Sequence, residues 1–378
     1  MASTSPAVEL PTFKGRPGWE FTDISALDLA SYERALAADH GAAEPLFELP
    51  SATLPEGVIV TTIDEAADDP RFGSLLSGDD DVFVALNDAG PRNGAFVYVP
   101  RGVEVAEPIS LTAVQAKTGT LVNRRTLIVL EEGAQAEVWE QFLSGGDDID
   151  GVFNVVTELV VGVNANLRYV CGQDLSEKSW IFGAQRAQVD RDGSLDWVAL
   201  GFGSVGGHVR METRLVGPGA DARVTGAYAS HGRQHIDFDT TQEHAAPNTT
   251  SDLAFRGVLQ GRSTAVWKGN IIVDPGAQKT DAFQESRNLL ISKRAHADSI
   301  PGLEIQANDV RCTHAAAIAQ VDPEQLFYLE SHGLPEPAAK RLVIEGFLAA
   351  LVERFEEGPV REVLGETLER RLGVILGE

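Results

Sequence analysis

The chain of 378 residues is 43% hydrophobic, which allows about two to three domains with substantial cores and excludes general disorder. Its 31 Lys and Arg stand against 56 Asp and Glu, a net charge of −25, so DNA, RNA and anionic lipid surfaces are disfavoured partners. Cys171 and Cys312 are its two cysteines, too few for this chain alone to close a structural zinc site or hold an iron–sulfur cluster. With no signal-peptide pattern and no apolar run of about 18 residues, a cytoplasmic protein with reduced thiols is expected, spanning no membrane.

Residues 1–81 carry 4 basic and 16 acidic side chains, a charge of −12, and are expected to form a helical N-terminal region. The spacing of Ile24, Leu27, Leu29, Tyr32 and Leu36 predicts a helix over 24–38, and Asp64 as an N-cap predicts a second over 64–77. Asp79-Asp80-Asp81 reads as a solvated loop. From Val82 to Val321 the pattern changes to period two. Val82–Leu86, Ala95–Val99 and Leu127–Leu130 predict strands, and no amphipathic helix of about twelve residues or more interrupts them.

Within 82–321 a phrase recurs: an apolar residue, a Gly, Pro or Asp turn, then a small residue and an alternating strand. Its turns fall at Gly133, Asn164, Gly193, Gly219 and Gly276, spaced 31, 29, 26 and 57 residues apart. The last gap is two periods, and Pro247-Asn248-Thr249-Thr250 supplies turn chemistry at the missing position. A period near 28 built of strands predicts a stacked β-solenoid, with a β-sandwich as the alternative. Stacked rungs leave open ends, which the helical flanks are expected to cap.

Residues 322–378 predict helices. Asp322-Pro323 is an N-cap followed by Pro at the first helical position, and Gly333 ends that helix. Pro335 opens a second helix, whose stripe Leu342, Phe347, Leu351 and Phe355 is expected in the core. After Gly358-Pro359, a third carries Val360, Val363, Leu364, Leu368 and Leu372.

Enzymatic motifs are scarce. There is no Gly-Lys dipeptide, hence no Walker A loop and no ATP site expected in this chain. Neither a His-Glu-x-x-His nor a Gly-x-Ser-x-Gly pattern occurs. Gly201-Phe-Gly203-Ser-Val-Gly206 fits the dinucleotide-binding pattern by letter, but Val209, Met211, Thr213 and Leu215 alternate after it. That pattern is a strand, where the fingerprint needs a helix. Alternation also puts His235, Asp237 and Asp239 on one strand face, either a metal-ligand set or a hydrogen-bonded polar ladder. Asp190 and Asp192, with Asp237 and Asp239, leave open a β-helix hydrolase or lyase acting on polysaccharide. Cys312-Thr313-His314 sets a thiol and an imidazole two residues apart on one face, a soft-metal pair or an inert packed pair of a structural adaptor.

A longer block decides between these readings. Val266-Trp267-Lys268-Gly269-Asn270, Asp274-Pro275-Gly276-Ala277-Gln278, Asp281 to Asn288, Pro301-Gly302-Leu303-Glu304, Asp309 to His314 and Phe327 to Gly333 together resemble the SufB/SufD family of the SUF iron–sulfur cluster assembly system, on its SufD side. Val99-Pro100-Arg101-Gly102-Val103 and Trp19-Glu20-Phe21-Thr22 resemble it upstream. The resemblance implies a right-handed parallel β-helix flanked by N-terminal and C-terminal α-helical regions (1–81, 82–321 and 322–378). It implies a non-catalytic scaffold working with a SufB-type subunit and the ABC-type ATPase SufC. The C-terminal helical domain would dock the ATPase, and the end of the β-helix would pair with a SufB-type subunit or a second copy. It also implies that Cys312 and His314 meet a transient iron–sulfur cluster or iron at that pairing surface, shared with the partner. The family's Cys-Ser-His-Gly-Ala-Thr is here Cys312-Thr313-His314-Ala315-Ala316-Ala317, and Asn308-Asp309 replaces an Asp-Asp pair.

Overall fold

The computed structural model describes residues 18–25, 27–38, 43–49, 51–90, 93–355 and 357–376. Three short strands come first: β1 (Glu33–Ala35), β2 (Ile59–Thr62) and, after helix α1 (Val82–Asp88), β3 (Gly94–Val99). The stacked body then runs through β4 (Ile109–Gln115), β5 (Thr120–Leu130), β6 (Gln135–Ser144), β7 (Gly151–Val161), β8 (Asn166–Asp174), β9 (Trp180–Val189), β10 (Ser194–Gly201) and β11 (Gly206–Leu215). It continues through β12 (Asp221–Ser230), β13 (His235–His244), β14 (Thr250–Leu259), β15 (Thr264–Val273), β16 (Asp281–Leu290), β17 (His296–Ile305) and β18 (Arg311–Gln320). Helices α2 (Pro323–Ser331), α3 (Glu336–Val352) and α4 (Pro359–Leu376) close the chain.

Strands alternate between two sheets. One has the order β17-β15-β13-β11-β9-β7-β5-β3-β2 and the other β18-β16-β14-β12-β10-β8-β6-β4. From β3 onward neighbours within a sheet are parallel, as each rung lies on the one before. This is the parallel β-solenoid that the repeat predicts. Gly206–Leu215 is strand throughout, so the glycine-rich phrase opens no helix.

The turn phrase works as a column of left-handed residues. Gly133, Asn164, Asp192, Gly219, Asn248 and Lys279 all have positive φ, which Gly, Asn and Asp tolerate best. Each donates its N–H to the turn of the following rung: Gly133 to Val163 O at 2.8 Å, Asn164 to Arg191 O at 2.9 Å, Asn248 to Gln278 O at 2.9 Å. The third turn is centred on Asp192, one residue before the expected Gly193. Asn248 fills the predicted gap.

Inward-facing side chains form continuous columns, with Tyr169, Trp197, Tyr228, Phe255 and Trp267 almost wholly buried. Each contributes about 2–3 kcal/mol of apolar burial. Near the first rungs the interior is polar. Arg124 Nε donates to Glu140 Oε1 at 3.0 Å, and Thr126 and Tyr169 donate to the same carboxylate at 2.7 and 2.8 Å.

The N-terminal region departs from the expected helices. Over 24–38 the chain makes a three-residue 3-10 turn and then β1, which pairs with β5. Asp23 and Asp28 explain this, since their side chains accept from Ser25 N and Ala30 N at 3.0 Å, a local bond that competes with helix. Over 64–77 only Ile63–Ala66 winds, as 3-10. Beyond Pro70 the buried Glu158 carboxylate gathers Gly73 N, Leu75 N and Leu76 N at 3.0, 2.9 and 3.2 Å, tying the segment to β7. Conversely, Val82–Leu86 is helix, not strand. Asp81 caps it by accepting from Phe83 N at 2.7 Å, and Phe83 and Leu86 pack on β5, β7 and β9. The acidic run is therefore engaged: Asp81 is a cap and Asp80 pairs with Arg186 at 3.1 Å.

At the other end, Asp322 accepts from Glu324 N at 2.9 Å and Gly333 is left-handed, as expected. Helices α3 and α4 lie along the outer face of the second sheet, over β12 and β14. Leu351 and Phe355 are buried there and Phe347 half-buried, but Leu342 remains 49% exposed, so the stripe is core only in part. Arg354 pairs with Asp252 at 3.1 Å and Arg256 donates to Phe347 O at 2.5 Å. The helices thus cover a side of the solenoid and leave its last rung uncapped.

Candidate functional site

Among the described residues, β17 and β18 form that last rung, and each has a bonded neighbour on one side only. Cys312 lies opposite Ala282 and His314 opposite Gln284. Ala282 and Gln284 face inward and are buried, so Cys312 and His314 continue the inward columns at a mouth with no further rung above. Cys312 is a free thiol, half-buried against Ile271, Val273, Ala277 and Ala282. Burial and then the Asp281 carboxylate push its pKa up, so near neutral pH it is a thiol whose proton a metal would have to displace. His314 is exposed, about 7 Å along the strand from Cys312 by strand rise. Beneath it, the Gln284 amide donates to Gly302 O at 3.1 Å while its buried Oε1 has no partner. Gln284 is a site residue that reading for Cys and His alone passes over.

Around the pair the rung is apolar and open. Ile300, Leu303 and Ile305 on β17 and Ile318 on β18 are exposed. Free backbone edges beside exposed aliphatic side chains make a surface suited to another protein. A second such surface lies on the C-terminal helices, where Phe327 is 71% exposed and Tyr328 and Leu342 lie open nearby.

His235, Asp237 and Asp239 share the outer face of β13, as expected, but each turns to a different partner. Asp237 Oδ2 accepts from Thr22 Oγ1 at 2.5 Å and stands 3.0 Å from His208 Nδ1. That imidazole contact is close in distance but poorly aligned for a hydrogen bond. His235 contacts Thr22 Oγ1 at 3.0 Å and Thr264 Oγ1 at 2.7 Å. Asp239 faces Lys268 Nζ at 3.4 Å. Burial raises the Asp237 carboxyl, but the nearby His208 charge and the bond from Thr22 more than offset it and hold its pKa low. Burial likewise opposes the His208 charge, and Asp237 reverses this, so its pKa is raised. Burial lowers His235 and raises Asp239.

Among the described residues no group of three or more His, Cys, Asp or Glu side chains is placed to hold a metal ion. His235, Asp237 and Asp239 meet Thr22, Thr264, His208 and Lys268, the neighbours of a polar ladder. His208 escaped the sequence reading, since it sits 29 residues before Asp237 and reaches it only through the rung stack. Asp190 and Asp192 lie in the turn after β9 and share no groove with the buried Asp237. No described helix is long and apolar enough to cross a membrane.

The family model for the SUF system FeS cluster assembly SufBD core domain matches residues 112–347, and that for the SufBD protein N-terminal region matches 46–111. The iron–sulfur cluster assembly protein SufD of Bacillus subtilis is 33% identical over 296 residues, covering 78% of this chain and 68% of that protein. A SufBD family iron–sulfur cluster assembly protein of Mycobacterium tuberculosis is 31% identical over 370 residues, 94% of this chain and 88% of the relative. The chloroplastic protein ABCI7 of Arabidopsis thaliana is 31% identical over 305 residues, 77% of this chain and 62% of the relative.

Proposed function

The chain belongs to the SufBD family of the SUF iron–sulfur cluster assembly system, and from that premise we propose that it is a non-catalytic, SufD-like scaffold subunit that holds a nascent cluster jointly with a partner. The observation that carries this is the place of Cys312 and His314, on the outermost strand at the uncapped mouth of the solenoid. One sulfur and one imidazole nitrogen are too few to retain a cluster. Completed by thiolates or carboxylates across an interface, they make a site that opens when the interface moves. Its cargo is iron or an iron–sulfur cluster in transit.

The partner at the mouth is a SufB-type subunit or a second copy, seated on Ile300, Leu303, Ile305 and Ile318. The SufC-type ATPase docks on the C-terminal helices, at Phe327, Tyr328 and Leu342. ATP-driven movement there reaches the solenoid through α3 and α4 and their ties to β12 and β14. The protein works in the cytoplasm of its cell.

The test is anaerobic reconstitution of the complex with SufB- and SufC-type partners, ferrous iron and sulfide, read by bound iron and sulfide. Cys312→Ser and His314→Ala should each cut the cluster yield several-fold while the complex still co-purifies. Full yield from both variants would sink the site assignment.

A further inference from the structure

One corner of the solenoid carries an unneutralised row of cations. The turn between β12 and β13 contains Gly232-Arg233, that between β14 and β15 contains Gly261-Arg262, and that between β16 and β17 contains Ser292-Lys293-Arg294. The three turns stack directly. Arg262 N donates to Gly232 O at 2.8 Å, and Gly261 N donates to Ser292 Oγ at 3.0 Å. A Cβ on Gly261 would come within 3.0 Å of Gly232 N, so the close approach requires glycine there. Together they line one open concavity.

Arg233, Arg262, Lys293 and Arg294 are exposed, and among the described residues none of them has a salt-bridge partner. On the strand faces, by contrast, Arg168, Arg186, Arg214 and Arg223 are each paired with carboxylates. Glu177, which lies beside Gly232, is held by His231 at 3.0 Å. In a chain with a net charge of −25, four free cations on three successive rungs are a local reversal of sign.

We propose that this corner is an oxyanion site that takes a short chain of phosphate groups, as in inorganic tripolyphosphate or the di- or triphosphate of a nucleotide. Rung spacing sets the cations about 5 Å apart along the axis, so the row spans about 10 Å. That is the size of a small polyanion and far short of the roughly 800 Å² per partner of a stable protein interface. None of the exposed large hydrophobic residues lies in the row, so it has no apolar anchor of the kind that carries protein docking. Guanidinium forks suit phosphate oxygens, and the Ser292 hydroxyl, which accepts from Gly261, still has its own proton to donate. A long nucleic acid is repelled by the surrounding acidic surface. The site needs no Walker A loop, and it stands independently of the cluster scaffold reading.

The experiment is titration calorimetry of the full chain, without magnesium, against inorganic tripolyphosphate, ATP, adenosine and a heptaglutamate peptide. Tripolyphosphate should bind, more weakly as salt is raised, and the double variant Arg262→Gln/Arg294→Gln should bind it at least about tenfold more weakly. Lys117→Gln, which removes an unpaired charge elsewhere, should bind as the wild type does, and thermal melts should show all three proteins equally folded. ATP tighter than tripolyphosphate assigns the site to a nucleotide, and equal affinity assigns it to the phosphate chain alone. No binding at about 1 mM tripolyphosphate, equal binding by the double variant, or preference for heptaglutamate would overturn the proposal.

Discussion

At the scale of single residues, the buried His208–Asp237 pair behaves as a clasp for the N-terminal segment. The Trp19 ring packs tilted against the His208 ring with centroids 4.6 Å apart, and Thr22 bonds Asp237 and His235. His208 has a raised pKa, so its contribution to stability is complete below the unfolded value of about 6.5 and is lost as pH rises through the folded value. Asp237 has a lowered pKa, so its contribution is present above about 4 and is lost as pH falls through the folded value. His235, lowered by burial, adds to the loss on the acid side, while Asp239, raised by burial against the opposing charge of Lys268, favours its protonated form there. Urea melts followed by tryptophan fluorescence should therefore show stability declining from about pH 6.5 upward. Asp237→Asn should flatten that decline and cost about 3 kcal/mol, since it leaves His208 buried without its counter-charge. A decline that survives the substitution would assign the alkaline loss to other groups.

At the scale of elements, the turn column sets the rung repeat. Gly219 has φ of +79°, and a Cβ there would lie 2.3 Å from Asp192 Oδ1 in the turn before it. Gly219→Ala should cost about 1–2 kcal/mol in chemical denaturation. Asn248→Gly, at an exposed position of the same left-handed conformation, should stay within about 0.5 kcal/mol of the wild type. Equal effects at the two positions would mean that the column does not depend on residue type. Most of these turns were legible in the sequence because Gly, Asn and Asp mark left-handed backbone by chemistry alone, whereas Lys279, three residues beyond the expected Gly276, carries no such mark. Cys312 and His314 were legible as a same-face pair, and the C-terminal helices through Asp322, Gly333 and Pro335. What stayed hidden depends on tertiary partners. Val82–Leu86 alternates like a strand until Asp81 caps it against the sheet, and 64–77 looks helical until the distant Glu158 takes its N–H groups. The placement of α3 and α4 along a side, rather than over the end, is carried by Arg256, Arg354 and Asp252. Their sequence gives no sign of that pairing. His208 and Gln284 join their sites only through rung register, which no local pattern encodes.

At the scale of the whole molecule, shape and charge set opposing terms for association. The uncapped rung presents two strand edges and four exposed aliphatic side chains, which favour pairing end to end. The net charge of −25 opposes the approach of a second copy. Salt screens that repulsion over a Debye length of about 10 Å at 0.1 M and leaves apolar burial nearly untouched. Self-association through this end should therefore strengthen when salt is raised from about 20 to 200 mM, as measured by sedimentation equilibrium. Leu303→Lys and Ile318→Lys should abolish it at both salt levels without lowering the melting temperature, because both side chains are already exposed in the single chain. Association that weakens as salt rises, or that survives both substitutions, would move the contact away from the mouth. Cys312 and His314 would then lose the second surface that a jointly held cluster requires.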